Sequence, residues 1–282
     1  GKPSGLLYKY ATGTDELVGE VELGLFPATM EISPATGLLY CVNFDLHGDM
    51  RPSSVSIVDP DEMVEVARTT TGPMPHGSRV SPDGLYHYSC SMMADTLYEI
   101  DAVDFSVAPV PPHRQAMPGH EGHPGHMGHT EHASMQHGTA KPTWVFPHPF
   151  ERKVYVALNG SDEVVEVDLD AWAITRRLAT AKGPYNVEAT SDGRKLVVSY
   201  KSAGAVGIWD LERGVELAHI PSSRKVTHGV VTSRDARYAF VSCEGIGGES
   251  GTLDVFDLET NARVCTLELG LQAGGIAFWK SE

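Results

Sequence analysis

The sequence predicts an all-β fold, a β-propeller of four-stranded antiparallel blades, on three observations. One pattern recurs about every 45 residues, within the range of propeller repeats. Each copy holds short β-branched runs with period-2 alternation, bounded by Ser-Pro and Asp-Gly turn signals. The third run of each copy ends in aspartate, at Asp59, Asp101, Asp168, Asp210 and Asp257. Four such strands make one blade, and blades bury their faces against one another around a ring.

The first copy runs through Ile32-Ser33-Pro34, Tyr40-Cys41-Val42-Asn43 and Val55 to Asp59. The second has Val80-Ser81-Pro82-Asp83-Gly84, Tyr88-Ser89-Cys90 and Leu97 to Asp101. The third has Phe146-Pro147-His148, Tyr155-Val156-Ala157 and Val164 to Asp168. The fourth and fifth follow at Thr190-Ser191-Asp192-Gly193 and Thr232-Ser233-Arg234-Asp235. The anchors Ser33, Ser81, Pro147, Ser191 and Ser233 are spaced by 48, 66, 44 and 42 residues. The single long gap holds a histidine-rich segment, which reads as a loop inserted after the third strand of the second copy. Residues 1–282 therefore form one propeller domain, with residues 108–140 as an inserted His/Met/Gly-rich loop. At the ends, Leu6–Tyr10 and Val18–Leu23 read as a third and fourth strand, and Gly274–Trp279 as a lone first strand. The expectation is a seven-bladed ring lacking N-terminal blade sequence, with six-bladed closure as the alternative.

Tyr40-Cys41-Val42-Asn43, Tyr155-Val156-Ala157-Leu158-Asn159, Ser81-Pro82-Asp83-Gly84 and Val164 to Asp168 resemble the motifs of the YVTN-type β-propeller repeat proteins. The resemblance covers almost the whole chain outside residues 108–140. It implies a seven-bladed ring and a periplasmic or extracellular location. It specifies fold far better than function, because one blade type serves binders, scaffolds and enzymes. Seven-bladed relatives include lactone hydrolases and the copper-cluster domain of nitrous oxide reductase, so a channel-mouth hydrolase or copper oxidoreductase is the competing class.

The formal charge of -15 argues against nucleic acid and anionic membrane surfaces as partners. No apolar run has the length of a membrane span. Cys41, Cys90, Cys243 and Cys265 have no C-x-x-C spacing, and three of them sit in apolar strand patterns as small buried side chains.

The inserted segment holds 7 of the 13 histidines: His113, His120, His123, His126, His129, His132 and His137. The middle five recur at every third position, with Met117, Met127 and Met135 among them. Imidazole is the commonest side-chain ligand of zinc, copper and nickel, and thioether sulfur favours Cu(I). Prolines and glycines exclude an ordinary helix there, while an extended three-residue turn sets the imidazoles on one face. The segment predicts a transition metal, copper or zinc, and the sequence indicates no organic cofactor.

On the propeller itself, Ala28, His76, Pro142, Asn186 and His228 lie five residues before successive anchors, with Gly274 in the same place in the last strand. His76, His228 and Asn186 are thus candidate ligands at the channel, the two histidines three blades apart. The reading that follows is an extracytoplasmic binding or scaffold protein that carries a metal-binding loop. An enzyme at the channel mouth is one alternative; a structural subunit docked through a propeller face to another envelope protein is the other.

Overall fold

A computed structural model describes residues 4–46, 50–110 and 139–278. β1 (Leu6–Tyr10) and β2 (Leu17–Glu22) pair only with each other. The first four-stranded sheet is β3 (Pro27–Ile32), β4 (Leu39–Asn43), β5 (Ser54–Asp59) and β6 (Val64–Thr70). The second is β7 (Pro75–Val80), β8 (Tyr86–Ser91), β9 (Thr96–Asp101) and β10 (Val107–Val110). The third is β11 (Pro142–Pro147), β12 (Lys153–Leu158), β13 (Glu163–Asp168) and β14 (Ala173–Ala179). The fourth is β15 (Pro184–Ala189), β16 (Lys195–Tyr200), β17 (Ala205–Asp210) and β18 (Val215–Pro221). The fifth is β19 (Val226–Thr232), β20 (Tyr238–Glu244), β21 (Thr252–Asp257) and β22 (Ala262–Glu268). All pairing is antiparallel between sequence neighbours, and no helix occurs among the described residues. The propeller predicted by the repeat is the fold observed, as six sheets, five of four strands and one of two.

The repeat signals have local causes. Each aspartate that ends a third strand caps the following turn: the Asp59 Oδ1 accepts from the N–H of Asp61 and Glu62, and that of Asp168 from Asp170 and Ala171. Such Asx turns replace backbone bonds that the strand can no longer supply. The middle strands of each blade are buried on both faces, as β12 and β16 show, whereas the outer strands β6 and β14 alternate with solvent. Apolar clusters fill the space between blades, as where Val197, Val206 and Ile208 meet Val230, Val241 and Phe256.

The structure shifts two features of the sequence reading. The insertion follows the fourth strand of the second blade, not the third, because Val107 to Val110 pairs with Ile100 to Leu97. A proline inside that run hides the strand, yet proline is tolerated on an outer edge. The inserted loop therefore does not begin at residue 108. Residues Gly274–Phe278 take the place of an inner strand beside β19 but form no ladder.

Ladder pairs also fix which inner-strand residues are equivalent. Met30, Ser78, Val145, Val187 and Val230 pair with Cys41, Ser89, Val156, Val198 and Val241. The hairpin anchors are then Ser33, Ser81, His148, Thr190 and Ser233; the sequence reading is displaced by one residue in the third and fourth blades. In all five, the side chain at that position accepts from the backbone N–H groups of the turn. His148 does so through Nδ1, a role that a search for serine misses.

Each inner strand leaves one edge facing the channel without a ladder partner, and from the second blade onward side chains of the preceding blade bond to it. Thr29 Oγ1 donates to the His76 carbonyl at 2.5 Å, Thr143 Oγ1 to that of Tyr185 at 2.8 Å, and Ser199 Oγ to that of His228 at 2.7 Å. Ser242 Oγ does the same for Gly274. Farther down the strand, carboxylates answer the opposite need. Glu31 accepts from the Val80 N–H at 2.6 Å, and Glu188 from the Thr232 N–H at 2.7 Å.

Ser199 is fully buried and also accepts from the Asn186 N–H at 3.0 Å. Ser199→Ala leaves both partners unpaired, and the expected cost is roughly 1–3 kcal/mol. Urea denaturation measures it; a loss below about 0.5 kcal/mol would show that this seam is not what holds neighbouring blades.

Candidate functional site

The inner strands β3, β7, β11, β15 and β19 surround a channel of about 1080 Å³. Its wall carries Glu31, Arg79, Phe146, Glu188 and Val231 at one register level and Trp144 and Asn186 two residues earlier. At the end where the inner strands begin, the equivalent positions are Ala28, His76, Thr143, Tyr185 and His228. Tyr185 therefore holds the place that the sequence reading gives to Asn186, and Thr143 that of Pro142.

His76 and His228 sit three blades apart, and both meet Tyr185. The Tyr185 hydroxyl lies 2.8 Å from His76 Nε2, and its ring centroid 4.6 Å from that of His228. His76 Nδ1 lies 2.9 Å from the Thr143 carbonyl and must donate to it. Nε2 is then the acceptor, and Tyr185 donates. This bond takes the place of the hydroxyl clamp at the junction of the second and third blades. His228 Nδ1 faces the Gly274 carbonyl at 3.2 Å, and its Nε2 lies 3.2 Å from Glu244 Oε1. The Lys201 ammonium stands 4.1 Å above the Tyr185 ring and 3.8 Å from Glu244. Both nitrogens of His76 are thus hydrogen-bonded, whereas the neutral His228 has a single N–H for two acceptors, the Gly274 carbonyl and the Glu244 carboxylate. Asn186 is buried, and its Oδ1 has no hydrogen-bond partner.

Burial pulls His76 down to about 4, and burial with the charges of Lys201 and His76 pulls His228 to about 3. Both rings stay neutral in the folded protein near neutral pH. Glu188 moves the other way, raised by burial to about 7 against the opposing effects of Arg79 and the Thr232 bonds. Glu31 is raised as well, again by burial. Arg79 lies over the rings of Trp144 and Phe146, with centroids at 5.0 and 5.9 Å, and approaches Glu188 to 3.9 Å.

A third imidazole, His87, lies outside the channel. It is fully buried, stacked on Tyr40 at 4.9 Å, and neither nitrogen has a partner. Burial pulls it to about 3. No group of three or more His, Cys, Asp or Glu side chains suited to a metal ion occurs among the described residues. Cys41, Cys90 and Cys243 are buried and Cys265 is exposed; all four are free thiols.

His113, His120, His123, His126, His129, His132, His137 and Met127 lie outside the described residues. The described residues on either side have defined contacts. β10 leads in, and beyond the segment the Asp95 carboxylate accepts from the N–H groups of Thr139, Ala140 and Lys141 at 2.7 to 3.2 Å.

The fold and channel define a β-propeller protein. No protein-family model matches the chain, and no curated protein matches it. Among solved structures, Kuenenia stuttgartiensis hydrazine synthase is similar, with a TM-score of 0.67 and 20% identity over 93% of this chain and 70% of that one. A functionally unknown protein of Desulfotomaculum acetoxidans gives 0.68 and 12% over 95% of this chain and 78% of its own. At these identities the likeness is one of fold alone.

The imidazoles of His76, His87 and His228 make a pH prediction. Each binds a proton near 6.5 when unfolded but only near 3 to 4 when folded. Their contribution to stability is complete above about 6.5 and is lost as pH falls from there towards 3–4. Glu188 opposes them, gaining its proton first in the folded state as pH falls from about 7 towards 4.5. His87→Phe keeps the ring on Tyr40 and removes one acid-sensitive group. Its stability relative to the parent is expected to rise by roughly 2 kcal/mol between pH 7.5 and 5.0, at about 1.36 kcal/mol per unit below 6.5. Urea denaturation at both pH values checks this; an unchanged difference between the two proteins would contradict it.

Proposed function

We propose that the protein is an extracytoplasmic β-propeller that binds and holds, and that it carries a copper- or zinc-binding loop. The observation that carries the reading is the run of five imidazoles at every third residue from His120 to His132, with Met127 inside it. Neutral imidazoles take Cu(II) or Zn, and the methionines favour Cu(I). The metal is coordinated and no bond is made or broken. A chelating loop of this kind suits a rigid support, and the Asp95 clamp on residues 139–141 supplies one at its end. The channel histidines support the same division of labour, because their ring nitrogens already face protein groups. The export assignment rests on the resemblance to YVTN-type propellers, and a propeller face is the surface offered to a second envelope protein.

Isothermal titration should show multi-site uptake of Cu(II) or Zn at pH 7.5, with release as pH falls through about 6.5, because a protonated imidazole cannot coordinate. Replacing His120, His123, His126, His129 and His132 by alanine is expected to remove most of the capacity, and replacing His76 and His228 to leave it. The opposite pattern would move the metal into the channel and favour the enzyme reading.

A second outcome concerns stability. Deleting residues 115–138 should keep the metal-free melting temperature within a few degrees, since roughly 1 kcal/mol shifts a large domain by about 2–4 °C. A cooperative collapse on deletion would mean that the segment is part of the blade core.

A further inference from the structure

The seam before the first blade lacks what every other seam has. Ser78, Val145, Val187 and Val230 are 0% exposed, and Val80, Ala189 and Thr232 at most 8%. Met30 and Ile32, in the equivalent places of β3, are 44% and 51% exposed. Elsewhere the two inner strands of the preceding blade give the cover, as Trp144, Tyr155 and Ala157 do where they cluster with Val187 and Ala189. Before the first blade, β1 and β2 cover only the outer part, with Leu7 and Val21 against Cys41 and Val58. The polar clamps are missing at the same place. The Ala28 carbonyl and the Ile32 N–H correspond to the His76 carbonyl and the Val80 N–H, which Thr29 and Glu31 close. No side chain among the described residues bonds to either group of β3.

A free strand edge lies beside this uncovered surface. The third strand of every four-stranded blade pairs on both edges, whereas β1 pairs with β2 alone. Gly5 turns its N–H to Gly24 and its carbonyl to Leu23, so by alternation Leu6 and Tyr8 turn theirs to the open side. Both side chains are 45% exposed. Gly274–Phe278 lies beside β19 and forms no ladder with β1. An unpaired edge of this kind takes an added strand, with backbone bonds for affinity and side-chain contacts for specificity.

The repeat itself specifies what fits. In the fourth blade the cover is an antiparallel hairpin, β15–β16. Its first strand carries Glu188, which accepts from the Thr232 N–H, and its second carries Ser199, which donates to the His228 carbonyl. We propose that β1 and the exposed part of β3 bind an antiparallel β-hairpin of a partner polypeptide. Its second strand pairs with β1, a glutamate meets the Ile32 N–H, a serine or threonine meets the Ala28 carbonyl, and apolar residues cover Met30 and Ile32. The surface is independent of the metal-binding loop.

The probe is a synthetic peptide of residues 184–201, the inner hairpin of the fourth blade, added to the unaltered protein while amide hydrogen exchange is followed. It is expected to slow exchange at Ile32 and Tyr8 by about tenfold or more, saturating below about 1 mM. The same peptide with Glu188→Ala and Ser199→Ala is expected to bind at least fivefold more weakly. Equal binding of the two peptides would overturn the proposal, because any apolar strand would then serve. No slowing, either with about 1 mM peptide or with the same residues joined to Gly1 through a flexible linker, would also overturn it. So would sedimentation showing a dimer whose Ile32 and Tyr8 amides are already protected, which would make the occupant a second copy of this chain.

Discussion

A strand at the inner end of a propeller blade has one free edge, and a buried edge with unpaired N–H and C=O groups is costly. This chain meets that constraint with side chains lent by the blade before. A hydroxyl or an imidazole donates to the carbonyl near the start of each following inner strand. Carboxylates accept from amides two residues beyond the paired position. At the junction where Arg79 stands in place of a carboxylate, the facing residue is Pro147, which has no N–H to satisfy. The ring is held by apolar packing between blades; its register is fixed by these short polar contacts.

The same constraint shapes what the histidines can do. His76 clamps its junction as Thr29, Thr143 and Ser199 clamp theirs, and its second nitrogen is closed by Tyr185. His228 faces the corresponding carbonyl and Glu244. Two residues that look like ligands in sequence are part of the frame. The metal chemistry we propose lies elsewhere, with the inserted imidazoles and their regular spacing. The insertion follows an outer strand, where the blade's ladder ends, so added length there costs the core little.

Much of the fold was legible in the sequence because its signals are local. Aspartates such as Asp59 and Asp168 cap turns within three residues, and strand alternation follows directly from burial. The register was less legible. Ser191 looks like the anchor of the fourth blade, but Thr190 accepts the turn N–H, and in the third blade His148 does the same work. That one-residue displacement put Asn186 where Tyr185 belongs. The channel charges were visible as residues, yet Glu31, Arg79 and Glu188 come from three blades, and no spacing in one chain shows that they feel one another. Val107–Val110 was hidden by its proline and by the histidines that follow it.

Native-state hydrogen exchange at the Val80 and Thr232 amides tests the central claim most directly. Both face the channel edge without a ladder partner, and their hydrogen bonds are to Glu31 and Glu188 of the preceding blades. If the lent side chains close the inner edges, both amides exchange only through global opening, as slowly as the buried ladder amide of Val42. Exchange as fast as that of an exposed loop amide such as Gly248 would mean that the edges are open and that packing alone holds the ring.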